Sequence, residues 1–64
     1  MLSHEEIQKK LEKIAKTRPI AVVDCTNLLP PRSKDPVNNL SRMTIMVFAQ
    51  QTAVILNKKW VKKH

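Results

Sequence analysis

After Pro36 the chain contains no proline, and it contains no glycine at any position. The two residues that most often interrupt regular structure are therefore missing from residues 37–64. Asp35-Pro36 reads as a helix start, with Asp35 as the cap and Pro36 at the first helical position, where a fixed φ is already helical. The spacing predicts one long helix over 36–62, followed by a basic tail to residue 64. About 26 residues at 1.5 Å each give a rod of ~39 Å.

At 100° per residue the apolar positions of this rod fall into two stripes. The broader one holds Val37, Leu40, Met43, Val47, Val54 and Val61, flanked by Thr44, Phe48 and Ile55. The other, roughly opposite, holds Ile45, Met46, Ala49, Ala53, Leu56 and Trp60. A helix that is apolar on two sides wants two neighbours. One is expected to be the N-terminal helix of the same chain, the other the long helix of a second subunit. Ala49 and Ala53 are small enough for close approach, so the stripe Ile45, Met46, Ala49, Ala53, Leu56 and Trp60 is the expected self-association surface. A rival arrangement is α+β. Residues 43–48 and 52–56 are rich in strand-favouring side chains, and two strands there would make a C-terminal hairpin. Gln50-Gln51 is a poor tight turn, since such turns want a pair such as Asn-Gly. The helix is therefore preferred.

The N-terminal part predicts an amphipathic helix over residues 3–17. Ser3 reads as its N-cap, Glu6 as the reciprocal member of a capping box, and Leu2 with Ile7 as a hydrophobic staple. Ile7, Leu11, Ile14 and Ala15 form one apolar stripe. Glu5–Lys9, Glu6–Lys10 and Glu12–Lys16 are i,i+4 pairs in the favoured order. The helix is expected to end near Thr17, because a residue before proline is pushed out of the α region. Residues 19–35 then read as an extended, proline-rich connector. Its β-branched start, residues 20–23, suggests a single β-strand. Leu28 and Leu29 need burial, and Pro30-Pro31 favours extended backbone. The expected fold is a single small domain, mostly α, and a helical dimer.

Size supports the dimer. A chain of 64 residues forms at most one domain with a marginal core, and such scaffolds usually need a disulfide, a metal or a second subunit. Cys25 is the only cysteine, so no intrachain disulfide forms. One cysteine and two histidines at opposite ends match no zinc spacing, and no metal or cofactor is expected. The N-terminus has no apolar core of an export signal, and the apolar stretch 43–56 is too short and too polar to span a bilayer. A cytoplasmic location is expected, which makes the sequon Asn39-Leu40-Ser41 a chance match.

The net charge is +7 and unevenly spread. Residues 1–18 carry +2, residues 19–36 balance, and residues 37–64 carry +5 without a single acid. Arg42, Lys58, Lys59, Lys62 and Lys63 are the candidate nucleic-acid-binding residues, suited to sequence-independent phosphate contact. The plainer role of the four lysines is to complement the negative end of the helix dipole. Base readout has little to work with, since stacking aromatics are limited to Phe48 and Trp60. Trp60 shares a stripe with Leu56 and Ala53 and reads as a packing anchor. A basic helix end with one tryptophan also suits a lipid interface, but two apolar stripes do not make the single clean face that mode needs.

Catalysis finds no constellation. An activated thiolate needs an electropositive setting that Cys25 lacks, and a chain without glycine cannot build a phosphate-cradling loop. The chain is read as non-enzymatic. The leading expectation is a small regulatory or architectural protein that self-associates and holds nucleic acid. The alternatives are a protein-binding adaptor or inhibitor using an exposed apolar helix face, and a self-assembling structural subunit.

Overall fold

The computed structural model describes residues 3–63. Among them the chain forms three helices: α1 (His4–Ala15), α2 (Val22–Asn27) and α3 (Pro36–Lys63). The expected Leu2–Ile7 staple involves a residue outside the described range. No described backbone has a positive φ, as suits a chain without glycine.

α3 is the axis of the molecule. Its 28 residues imply a rod of ~42 Å, and the longest dimension of the molecule is 42 Å against 16 and 15 Å across. Residues 43–56 are helical throughout, so the hairpin arrangement does not occur. The start is built as its residue types require. The Asp35 carboxylate accepts from the Val37 N–H at 3.0 Å, its carbonyl takes the Asn39 N–H at 3.1 Å, and Pro36 occupies a position whose missing donor costs nothing.

α1 begins where Ser3 Oγ accepts from the Glu6 N–H at 3.2 Å, which satisfies one of the orphan donors of a helix N-terminus. The helix closes slightly earlier than the proline rule alone implies. The Ile14 carbonyl is taken by the N–H groups of Thr17 and Arg18 and by the Thr17 hydroxyl, which turns the chain before Pro19. On the exposed side Lys9 meets Glu5 at 3.5 Å, a pair worth a few tenths of a kcal/mol at most, while Glu12 accepts from Gln8 rather than closing on Lys16.

The expected strand at the start of the connector is not formed: Val22–Asn27 is a helix of six residues. A β-branched run is helical here because local polar groups organise it. The Asp24 carboxylate accepts the Ala21 N–H at 2.8 Å, capping the helix from its third position, and both carboxylate oxygens are gripped by the Arg18 guanidinium at 2.7 Å. This two-toothed ion pair ties the end of α1 to the start of α2 with the geometry that makes such pairs strongest. The side chain of Asp24 is only 10% exposed. The Arg18 hydrogen bonds and the Ala21 N–H hold its carboxyl down at about 2. A depressed carboxyl stabilises the fold above its unfolded value of ~3.9 and stops doing so as pH falls through its folded value. Docking of α2 is therefore expected to persist at pH 4 and loosen between about 4 and 2, followed by the Ala21 amide resonance. Asp24→Asn is expected to abolish that acid transition at this amide.

The core runs along one side of α3. Ile7 and Leu11 from α1, Ile20 before α2, and Cys25 in α2 are buried with Ile45, Ala49 and Ala53 of α3. Leu28 and Leu29, which the connector had to bury, pack against this cluster. The small side chains of Ala49 and Ala53 let two elements approach the rod at once. At the N-terminal end of α1 the His4 ring stacks on Phe48, with centroids 4.4 Å apart and planes 11° from parallel.

Candidate functional site

Two surfaces of α3 stand out once α1 and α2 are in place: a basic C-terminal end, and an apolar flank that carries no charge before Lys58. The basic end carries Lys58, Lys59 and Lys62, all exposed. At 100° per residue they fan over an arc of ~100°. No acid occurs in α3, and the ion pairs of the described residues, Lys9–Glu5 and Arg18–Asp24, both lie elsewhere. Lys63 ends α3, and its side chain lies outside what is described. The arrangement is a concentrated positive field on a rigid rod, complementary to a polyanion and to the dipole of its own helix.

Arg42 is separated from this end by four turns of helix, and the structure gives it a different setting. Its Nε donates to the Pro30 carbonyl at 3.0 Å, in a half-buried position, so Arg42 braces the proline-rich connector against α3. Beside it the Asn39 side chain accepts the Ser33 N–H and donates to the Ser33 carbonyl. These bonds give the connector a fixed path despite its lack of regular structure. Arg32 and Arg42 line an open depression of about 250 Å³ with Asn39 and Met43. The sequence does not single out Arg32. Nothing in its spacing brings it to Arg42, because the neighbourhood is made by the Pro30–Arg42 and Ser33–Asn39 bonds.

The stripe expected to self-associate is occupied within the chain. Ile45, Ala49 and Ala53 are buried in the core, with Met46 and Leu56 packed against it and Trp60 half-buried. A second copy has no access to them while α1 and α2 stay docked. The close approach that Ala49 and Ala53 permit is used by α1 and α2 instead. The broader stripe is the one left open: Val37, Leu40, Met43, Val47, Val54, Ile55 and Val61 are all more than half exposed.

Cys25 is buried. Burial and the neighbouring Asp24 charge push its thiol above the ordinary range, so it stays protonated and unreactive at neutral pH. Among the described residues no group of three or more His, Cys, Asp or Glu side chains is placed to hold a metal ion, and no helix is long and apolar enough to cross a membrane. No family model, curated protein or solved structure matches this chain.

Proposed function

We propose that this chain is a small, self-associating, intracellular protein with a regulatory or architectural role, holding nucleic acid through sequence-independent contacts between backbone phosphates and the C-terminal end of α3. The observation that supports this most is the set of exposed lysines, Lys58, Lys59 and Lys62, on a helix that contains no acid. Ammonium groups on flexible stems suit phosphates whose spacing varies, whereas base-edge readout favours forked guanidinium groups. Arg42, braced on Pro30, contributes to binding only through the Arg32 depression, some distance from the tail. Neither aromatic is offered as a stacking platform, since Phe48 is stacked on His4 and Trp60 is half-buried.

Four lysines neutralising four phosphates give a slope of about −3.6 in the logarithm of affinity against that of salt concentration, so duplex DNA binding is expected to weaken ~100-fold between 50 and 200 mM salt. Replacing Lys58, Lys59, Lys62 and Lys63 together by glutamine is expected to abolish retention of a duplex while leaving the circular dichroism spectrum helical. Binding that survives those four changes at the same salt would remove the tail from the site.

A further inference from the structure

We infer that the open flank of α3 is a seam for the α3 of a second copy, packed antiparallel. Leu40, Val47, Val54 and Val61 stand seven residues apart and are 64%, 53%, 54% and 71% exposed. Val37, Thr44, Gln51 and Lys58 each precede one of them by three residues and are exposed as well. The two columns together alternate steps of three and four along one face, which is the spacing of a two-helix coiled seam. A strict seven-residue repeat on a helix of 3.6 residues per turn drifts ~20° per repeat, so two such rods wrap around each other with a left-handed twist.

The area fits a copy of the same face. Val37, Leu40, Met43, Val47, Val54 and Ile55 together expose on the order of 600 Å², the upper end of what a monomer ordinarily leaves in one patch. Two of these patches face to face can cover at most on the order of 1,200 Å², the lower end of the range of specific interfaces. A chain with this small a core, no disulfide and no metal cluster among its described residues gains from such a partner the stability its size denies it.

Charge selects the direction. From Pro36 to Asn57 the helix has a single charged side chain, Arg42, and that one is turned to Pro30. Parallel packing sets Lys58 against Lys58 of the other copy, with Lys59 and Lys62 close by, and like charges at such positions are the device that natural seams use to reject a pairing. Antiparallel packing lays each lysine-rich end along the uncharged half of its neighbour, with the stem of Lys58 over Leu40 and its ammonium left at the rim for phosphate, and with Val61 beside Val37. In the same register Gln51 lies beside Val47 and Thr44 beside Val54 of the other copy, so the middle of the seam carries no charge. Gln51 and Lys58 sit centrally on the flank, where a lipid surface would leave them without partners in its apolar layer.

The dimer extends the self-association proposed above and needs no nucleic acid, so its test uses the protein alone. Sedimentation equilibrium is expected to give twice the chain mass of 7.4 kDa. Val47→Glu, at an exposed position, is expected to give a monomer that keeps its helical spectrum. For direction, Val37→Cys protein mixed with Val61→Cys protein is expected to form the mixed disulfide in preference to either like pair. A wild-type mass of one chain at every concentration would overturn the seam, as would a Val47→Glu protein that still forms dimers. Preferential self-linking of Val61→Cys overturns the antiparallel direction, and a monomer that is taken up by anionic phospholipid vesicles assigns the flank to a membrane instead.

Discussion

Leu11→Ala is expected to lower the thermal midpoint by ~10–30 °C. Leu11 is fully buried together with Ile7, and the two side chains are the main anchors of α1 on α3. Truncating a buried leucine costs ~2–5 kcal/mol, the spread depending on how far the surroundings collapse into the gap. At ~0.05–0.15 kcal/mol per residue a chain of this size is stable by ~3–10 kcal/mol. One leucine side chain is thus a large fraction of what holds the fold together. Val47→Ala makes the matched control, because its side chain is exposed on the open flank and is no part of the intramolecular core. Urea titration of the two variants as monomers is expected to separate them by more than about 1.5 kcal/mol. Equal midpoints would mean that α1 is not docked in solution.

The contrast between those two positions also marks how far the sequence speaks for itself. α1 and α3 are legible because their starts carry local chemistry: Ser3 with Glu6, and Asp35 with Pro36. Such caps act within four residues: the structure forms the Ser3 Oγ–Glu6 N–H bond of the first, without the reciprocal bond to the Glu6 carboxylate, and the Asp35–Val37 bond of the second. The long helix is further secured by what is missing, since no glycine or proline offers it a place to stop. The short helix α2 is not legible from Ile20, Val22 and Val23, whose preference for strands is a statement about packing on a pleated surface. Asp24 three residues after Ala21 is the available signal, because an acid at the third position caps a helix from within. Its grip by Arg18 depends on the turn through Pro19 and is a matter of tertiary geometry.

The two stripes of α3 pose a harder problem. Periodicity identifies both faces and cannot rank them. Small side chains at Ala49 and Ala53 correctly indicate a close neighbour, yet nothing local says whether that neighbour comes from the same chain. What decides is reach. α1 and α2 are joined to α3 by the connector, whose path is set by Arg42 on Pro30 and Asn39 on Ser33. That path delivers both helices to the narrower stripe and leaves the broader one bare. The exposure of Lys58, Lys59 and Lys62 is legible directly, because lysines at a helix terminus need no tertiary partner to be placed.

Asn57 provides the second large effect, and sequence reading has no reason to notice it. Its side chain accepts the Ile20 N–H at 2.7 Å and donates to the Ile20 carbonyl at 2.9 Å, so one amide satisfies both backbone groups of a residue 37 positions away. Ile20 itself is buried in the core at the entrance to α2, where no helix or sheet ladder can serve its backbone. Asn57→Leu keeps the bulk and removes both bonds, which leaves a donor and an acceptor unpaired in a half-buried place. The expected loss is about 1–3 kcal/mol, below that of two fully buried groups since water reaches the site in part. Asn57→Asp separates the two bonds: the carboxylate still accepts from the Ile20 N–H and repels the Ile20 carbonyl. Amide exchange reads the outcome residue by residue. The Ile20 amide is expected to be protected in the native protein, weakly protected in Asn57→Asp, and to exchange fastest in Asn57→Leu, while amides in the middle of α1 slow or quicken only with global stability. If the Ile20 amide exchanges at the same rate in all three proteins, Asn57 does not hold the entrance of α2 to the rod, and the docking of that helix has another cause.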